Sequence, residues 1–194
     1  MSEPFSEVEK AALRELGYSE AWLEAGLLDR ALLAEQFQRY QAGGTRKTGK
    51  YRSQALAAWR QGSEPIGDAQ LDAFLSLMAV DPDAKMAQSA IAELIQSSRI
   101  SLEQLERIAQ SDAKLMKRHE AAIRRSYLTR RLDQGVTDPL LARVIEYEDA
   151  SIQTKLIRDA RLTRKQAELL AKRGANPTIR TQAQAWFQDK KAWK

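Results

Sequence analysis

The stretch LIQSSRISLEQLERIAQS (residues 94–111) recurs in altered form as LIRDARLTRKQAELLAKR (residues 156–173). In each copy an apolar residue and a hydroxyl residue precede a run in which apolar residues return at helical spacing: Ile100-Ser101 in the first, Leu162-Thr163 in the second. Each copy therefore predicts the end of one helix, a short turn and the capped start of another. Internal similarity of this kind is typical of repeat proteins.

Two kinds of helix start alternate along the chain. The first kind, an apolar residue followed by a cap and an amphipathic run, begins at Ile66, Ile100, Val136 and Leu162, with an earlier copy at Tyr18. The second kind begins at Asp81, Asp112, Asp149 and Asn176. Each unit is thus a helix, a turn and a second helix. One unit alone cannot bury both apolar faces, so stacking of units is expected.

Composition and punctuation predict an all-α fold. Alternating runs of Val, Ile, Thr and Tyr do not occur, and four of the five prolines stand near predicted helix starts, where the missing N–H costs nothing. We expect a single helical-repeat domain over residues 1–194. Its predicted parts are an N-terminal capping helix at 1–17 and repeat units at 18–60, 63–97, 99–131, 136–160 and 161–194.

The segment ANPTIRTQAQAWF (residues 175–187) begins with a capped proline followed by an apolar residue and an arginine. With the other helix starts, it resembles HEAT-like repeats and the related leucine-rich-repeat variants over about residues 18–194. The resemblance implies a right-handed α-solenoid of about five two-helix repeats. Such families mostly bind proteins, so the expected function is that of a non-enzymatic adaptor or scaffold with a protein partner.

Positive charge is concentrated in blocks, which suggests nucleic-acid binding as the alternative function. Residues 41–60 hold five basic and no acidic side chains, and residues 114–131 hold seven basic and one acidic. The candidate phosphate-binding residues are Arg46, Lys47, Lys50, Arg52, Lys117, Arg118, Arg124 and Arg125. Solvated faces paired with the neighbouring acidic blocks explain the same pattern. Alkylpurine DNA glycosylases use a HEAT-like scaffold, but their catalytic residues find no match in this sequence.

The segment GGTRKTGK (residues 43–50) has the G-x-x-x-x-G-K spacing of a nucleotide-binding P-loop from Gly44 onward. A P-loop must follow a β-strand, whereas the preceding residues carry Leu33, Phe37 and Tyr40 at helical spacing. The hydroxyl residue that would hold magnesium after Lys50 is replaced by a tyrosine. We therefore interpret the segment as a basic loop between helices and expect no nucleotide.

The remaining candidate residues point to no chemistry. His119 is the only histidine and is expected at the surface, and no metal or cofactor site is predicted. The tryptophans could stack on bases but more often fill the space between helices. Trp193, near the end of the sequence, is expected either to fold back on the last unit or to dock on a partner.

The sequence suggests a cytoplasmic address. It contains no cysteine, its first ten residues are acidic and polar, and no apolar run approaches the roughly 20 residues that span a bilayer. We therefore expect no membrane partner.

Overall fold

A computed structural model describes residues 5–44, 48–110, 117–157, 159 and 161–189. These residues form α-helices joined by turns, and no strand occurs among them, which confirms the all-α prediction. The chain divides into two compact units, Met1–Lys117 and Arg118–Lys194.

The described part of the first unit contains seven helices. They are α1 (Glu7–Glu15), α2 (Glu20–Glu24), α3 (Arg30–Gln41), α4 (Thr48–Arg60), α5 (Asp68–Val80), α6 (Ala84–Gln96) and α7 (Leu102–Gln110). The described part of the second unit contains five. They are α8 (Glu120–Gln134), α9 (Asp138–Glu146), α10 (Ala150–Ile157), α11 (Arg164–Arg173) and α12 (Pro177–Gln188).

Local sequence explains where these helices begin. The Thr163 hydroxyl accepts from the amide of Gln166, and the Gln166 side chain accepts from the Thr163 amide, so a reciprocal capping box starts α11. Asn176 accepts from the Ile179 amide at 2.9 Å, and Pro177 is the first residue of α12. Free backbone N–H groups at a helix start need such partners, or none in the case of proline.

Within each unit, helices pack against the helix that follows in the chain and also against the second helix along. In the first unit α4 packs on α6, and α5 packs on α6 and α2. In the second unit α8 packs on α10, α9 on α11, and α10 on α12. The apolar faces that meet in these contacts form the core, with Leu71, Phe74 and Ile91 fully buried in the first unit and Leu141 and Val144 in the second.

Most predicted repeat ranges contain a pair of helices. The range 63–97 contains α5 and α6, the range 136–160 contains α9 and α10, and the range 161–194 contains α11 and α12. The range 18–60 differs because it contains three helices, α2 to α4, and the range 99–131 differs because it ends inside α8, which runs to Gln134. Gly26 has a positive φ of 65°, and the Asp29 carboxylate caps a separate start by accepting from the Leu32 amide at 2.8 Å.

A buried glutamine ties α7 to the start of α5. The Gln104 side-chain oxygen accepts from the Ser101 amide at 2.9 Å, which completes the cap of α7. Its Nε2 donates to the backbone oxygen of Ile66 and to Asp68 Oδ1, both at 2.8 Å. The Gln104 side-chain amide therefore caps its own helix, α7, and also bonds the start of the neighbouring helix, α5.

The second unit repeats this arrangement with Gln166. Its side-chain oxygen accepts from Thr163, while its Nε2 lies 3.4 Å from the backbone oxygen of Val136 and 2.9 Å from Asp138 Oδ1. Thus α11 is tied to the start of α9, as α7 is to the start of α5. We call each of these glutamine contacts a glutamine clamp.

An arginine just before each clamped helix start caps another helix. Arg99 donates to the backbone oxygens of Trp59, at the end of α4, and of Glu64, the latter at 2.6 Å. Arg161 donates to the oxygens of Leu132 and Asp133, at the end of α8, at 2.8 and 3.0 Å. Cations stabilise the exposed carbonyls of a helix C-terminus. The two similar sequence stretches therefore build the same contacts.

The glutamine clamp predicts a difference between two capping glutamines. Gln104→Ala removes a buried side chain that bonds two helices, and we expect a loss of about 2–3 kcal/mol in the free energy of unfolding. Gln70 caps α5 from an exposed position with a 3.1 Å bond from the Gly67 amide, so Gln70→Ala should cost under about 1 kcal/mol. Urea denaturation measures both variants. Equal losses would show that the contact to Ile66 adds no stability.

Candidate functional site

An open groove lies between α4 and α6 in the first unit. A β-carbon placed on Gly49, at the start of α4, would lie 3.6 Å from Asp83 Oδ2, at the start of α6. At the other end, Arg60 Nη2 lies 2.5 Å from Glu93 Oε2. Since starts face starts and ends face ends, the two helices run parallel. The groove between them has a volume of about 320 Å³.

Polar and charged residues form the rims of the groove, and buried apolar residues close its bottom. Its lining residues are Gly49, Ser53, Leu56, Arg60, Asp83, Lys85, Met86, Ser89, Ala90 and Glu93. Leu56 and Ala90 are about 1% exposed and close the bottom of the groove, while Met86 is half-buried beside them. Ser53 and Ser89 are exposed and too small to fill the space above them. The volume of the groove lies at the lower end of the range of about 300–1,000 Å³ that ligand pockets show.

Charge is distributed unevenly along the groove. At the helix ends, Glu93 binds both Arg60 and the Ser89 hydroxyl, the latter at 3.1 Å, so the charges there compensate each other. At the helix starts, Asp83 Oδ1 accepts from the Met86 amide at 3.0 Å and caps α6. Lys85 is exposed at the same end.

The first predicted cation cluster is divided by the fold. Arg46 and Lys47 lie outside the described residues. Lys50 is exposed on the first turn of α4. Arg52 is only 6% exposed and is enclosed by protein groups. Of this cluster, the described residues therefore present the charge of Lys50 to solvent and keep that of Arg52 inside.

Arg52 forms a buried ion pair with Asp81. Its Nε lies 3.3 Å from Asp81 Oδ2, without the alignment of a hydrogen bond, and its Nη1 donates to the backbone oxygen of Gly17 at 2.7 Å. Asp81 Oδ2 also accepts from Trp22 Nε1 at 2.7 Å, and Asp81 Oδ1 accepts from the Asp83 amide. The pair therefore links α4 to α2 and to the start of α6.

Two buried tyrosines extend this polar network. The Tyr18 hydroxyl lies 2.8 Å from Gln36 Oε1 and 3.0 Å from the backbone oxygen of Tyr51, and it donates its proton to these acceptors. Burial raises the pKa of Tyr18 well above its usual value. Gln36 Nε2 also lies 3.1 Å from the Tyr51 oxygen. Trp22, 1% exposed, meets the Tyr18 ring edge-on. The side chains of Trp22, Tyr18 and Tyr51 therefore lie in the interior and are not exposed for stacking on bases.

The second predicted cation cluster lies around the start of α8. Lys117 and Arg118 are exposed. Arg124 lies 2.6 Å from Glu120, and its guanidinium stacks over the Tyr147 ring at 4.6 Å. Arg125 Nε donates to Asp149 Oδ2 at 2.8 Å, and this hydrogen bond raises the pKa of Arg125. Both helical arginines thus have local partners.

Trp193, the predicted docking residue, lies outside the described residues. The lone histidine, His119, was expected at the surface but is 9% exposed, and its Nε2 has no hydrogen-bond partner among the described residues. Burial, together with the positive charge of Arg118, lowers the pKa of His119. The sequence prediction of a surface histidine was wrong, since the fold buries this N-cap residue of α8 while its neighbours Arg118 and Glu120 stay exposed.

No set of three His, Cys, Asp or Glu side chains within the described ranges is arranged to hold a metal ion. None of the twelve described helices is both long and apolar enough to cross a membrane. Comparisons of the chain with protein-family models, with curated proteins and with solved structures find no match.

Sequence reasoning did not single out the groove. Its lining residues on α4 follow a helical stripe that begins with two small residues, Gly49 and Ser53, and continues with Leu56 and Arg60. That stripe is visible in the sequence. However, only the packing of α6 beside α4 shows that the small residues leave open space.

The buried ion pair predicts unequal losses of stability for substitutions of two cations two residues apart. Arg52→Met leaves the Asp81 carboxylate buried without its cation, and we expect a loss of about 3–5 kcal/mol in the free energy of unfolding. Lys50→Met removes an exposed cation and should change it by less than about 0.5 kcal/mol. Thermal and urea unfolding measure both. Similar small losses in the two variants would contradict a structural role for Arg52.

His119 predicts a pH dependence of stability. Because its folded pKa lies below the unfolded value of about 6.5, the unfolded chain binds the proton more readily, and the folded state loses stability as pH falls below that value. The maximum slope is about 1.4 kcal/mol per pH unit. The His119→Gln variant lacks this contribution, so the stability difference from wild type should shift in favour of the variant between pH 7.5 and pH 5. A pH-independent difference in urea denaturation would contradict the prediction.

Proposed function

We propose that this chain is a non-enzymatic helical-repeat scaffold that binds a partner protein in the α4–α6 groove. The observation that carries the proposal is the groove itself, an open space between two parallel helices that is lined by half-buried Met86 and by the small exposed residues Ser53 and Ser89. A groove between helices can accept side chains of another protein, while its polar rim keeps the free surface hydrated.

The packing within each unit supports the repeat part of the proposal. Stacked helix pairs make contacts between next neighbours but one, and the two glutamine clamps are equivalent contacts repeated in the two units. In such stacks, equivalent helices line one surface, and α4 and α6 are adjacent members of one layer under this proposal. Under this proposal, the helix pairs are repeats of a right-handed solenoid.

The binding of nucleic acid is the alternative, and the contacts of the basic residues weaken it. Arg52 is committed to Asp81, while Arg124 and Arg125 have Glu120 and Asp149 as partners. Phosphate binding would have to break these pairs or rely on the exposed cations that remain.

Photocrosslinking tests the proposed function. Benzoylphenylalanine in place of Ser53 positions the crosslinker at the groove, and the same residue in place of Ser76, an exposed serine on α5, is the matched control. In the cells that make this protein, irradiation should give a discrete protein adduct at position 53 at a yield at least about fivefold above that at position 76. We expect this because bound segments lie within reach of an interface side chain.

Two results would contradict the proposed function. One is an equal adduct pattern at positions 53 and 76. The other is adducts to nucleic acid alone, accompanied by sub-micromolar binding of a labelled DNA duplex or RNA hairpin near physiological salt, measured by fluorescence anisotropy. The second result would establish the alternative.

A further inference from the structure

We propose that the outer face of α12 binds a helix of another protein that carries an aspartate at its start. We call this surface the α12 face and define it by Thr181, Gln184 and Gln188, which are exposed, with half-buried Arg180 at its edge. It belongs to the second unit, so its occupancy does not depend on the α4–α6 groove.

Three helices carry the same short pattern near their start, an arginine followed by a small hydroxyl residue. The match is longest between α4 and α12, where YRSQA (51–55) aligns with IRTQA (179–183). The first and last residues of both stretches are buried, so the two helices turn the same side to the core. The pairs are Arg52-Ser53 in α4, Arg125-Ser126 in α8 and Arg180-Thr181 in α12.

In α4 and α8 this arginine contacts an aspartate that precedes another helix. Arg52 Nε lies 3.3 Å from Asp81 Oδ2, shortly before α6. Arg125 Nε donates at 2.8 Å to Asp149 Oδ2, directly before α10, and the same carboxylate caps α10 by accepting from two of its amides. In both cases the helix that follows the aspartate packs beside the helix that carries the arginine, α6 beside α4 and α10 beside α8. Inside this molecule, the arginine therefore pairs with an aspartate at the start of the helix that packs beside it.

The side of α4 that faces α6 has an open counterpart on α12. On α4 this side carries Gly49, Ser53, Leu56 and Arg60. At the same spacing from the shared arginine, α12 carries four exposed residues, Pro177, Thr181, Gln184 and Gln188. None of the four is charged, although 29% of the residues in the chain are. Because charged residues are depleted at the centres of protein interfaces, this composition favours the docking of a helix.

Arg180 lacks the carboxylate that its counterparts have. Its Nη1 donates to the backbone oxygen of Gly174 at 2.8 Å, and no acidic side chain pairs with it in the described part of the chain. Gln184, four residues further along α12, is its neighbour on the helix surface. A helix that docks on the α12 face with an aspartate at its start supplies the missing contact, as the starts of α6 and α10 do for Arg52 and Arg125. The polar α12 face suits reversible binding, since non-obligate interfaces are no more apolar than the remaining surface.

Peptide selection tests the inference. A phage library of random 16-residue peptides is depleted on the Gln184→Trp variant, whose α12 face is blocked, and then selected on wild-type protein. Selected peptides should carry an aspartate one to three residues before an amphipathic run, as Asp149 and Asp81 precede α10 and α6. Gln182→Trp makes the same substitution at another exposed position of α12 and should bind these peptides within about twofold of wild type.

A double-mutant cycle tests the contact with Arg180. For a selected peptide labelled with fluorescein, Arg180→Met and the replacement of the peptide aspartate by asparagine should each weaken binding by at least about 10-fold in anisotropy titrations. Combined, they should weaken it by far less than the product of the two losses, because both remove the same contact. Arg143→Met, at an exposed arginine of α9, should leave binding within about twofold. The asparagine replacement changes the peptide alone, so misfolding of the protein cannot produce its effect.

Three results would overturn the inference. Selected peptides without an aspartate before the amphipathic run would show that the α12 face does not select this group. Losses that multiply in the cycle would show that the aspartate does not contact Arg180. No enrichment on wild type over Gln184→Trp would show that the α12 face accepts no peptide helix. Crosslinking at position 53 reports on the α4–α6 groove alone, so the proposed function and this inference can fail separately.

Discussion

Much of this fold depends on the need to satisfy backbone carbonyls where one helix start passes close to another. The Ile66 oxygen lies beside α7, where water has little access, and the Gln104 amide donates to it. An unsatisfied buried carbonyl costs about as much as a lost hydrogen bond, so a side chain that reaches it fixes the spacing of the two helices. Gln166 meets the same need at Val136 in the second unit.

The buried ion pair of Arg52 and Asp81 applies the same constraint to the groove. The carboxylate stands just before α6 and holds the guanidinium of α4 and the indole N–H of Trp22. This holds the start of α4 beside the start of α6, where Gly49 lies close to Asp83. The Arg52–Asp81 ion pair thus sets the distance between α4 and α6, and the small residues Ser53 and Ser89 leave the space between them open.

The basic residues show how charge clustering in a sequence can mislead about a surface. Arg52, Arg124 and Arg125 belong to basic blocks, yet each has a carboxylate partner from another segment or from the preceding helical turn. Burial alone would raise the pKa of Asp149, but hydrogen bonds from Arg125 and from the amides of Ile152 and Ser151 hold it below its usual value. The net charge of a block of sequence therefore differs from the charge that its residues expose to solvent.

The sequence by itself determined the all-α fold, the positions of most of the capped helix starts and the similarity between the stretches at 94–111 and 156–173, but not the start of α3 at Asp29. These follow from local physics, since caps, prolines and helical periodicity act within a few residues. Only the tertiary structure decided that Arg52 and His119 are buried, that Gln104 bonds Ile66, and that small residues of α4 and α6 leave a groove. Each of these depends on which distant segment packs alongside, and one sequence does not record that pairing.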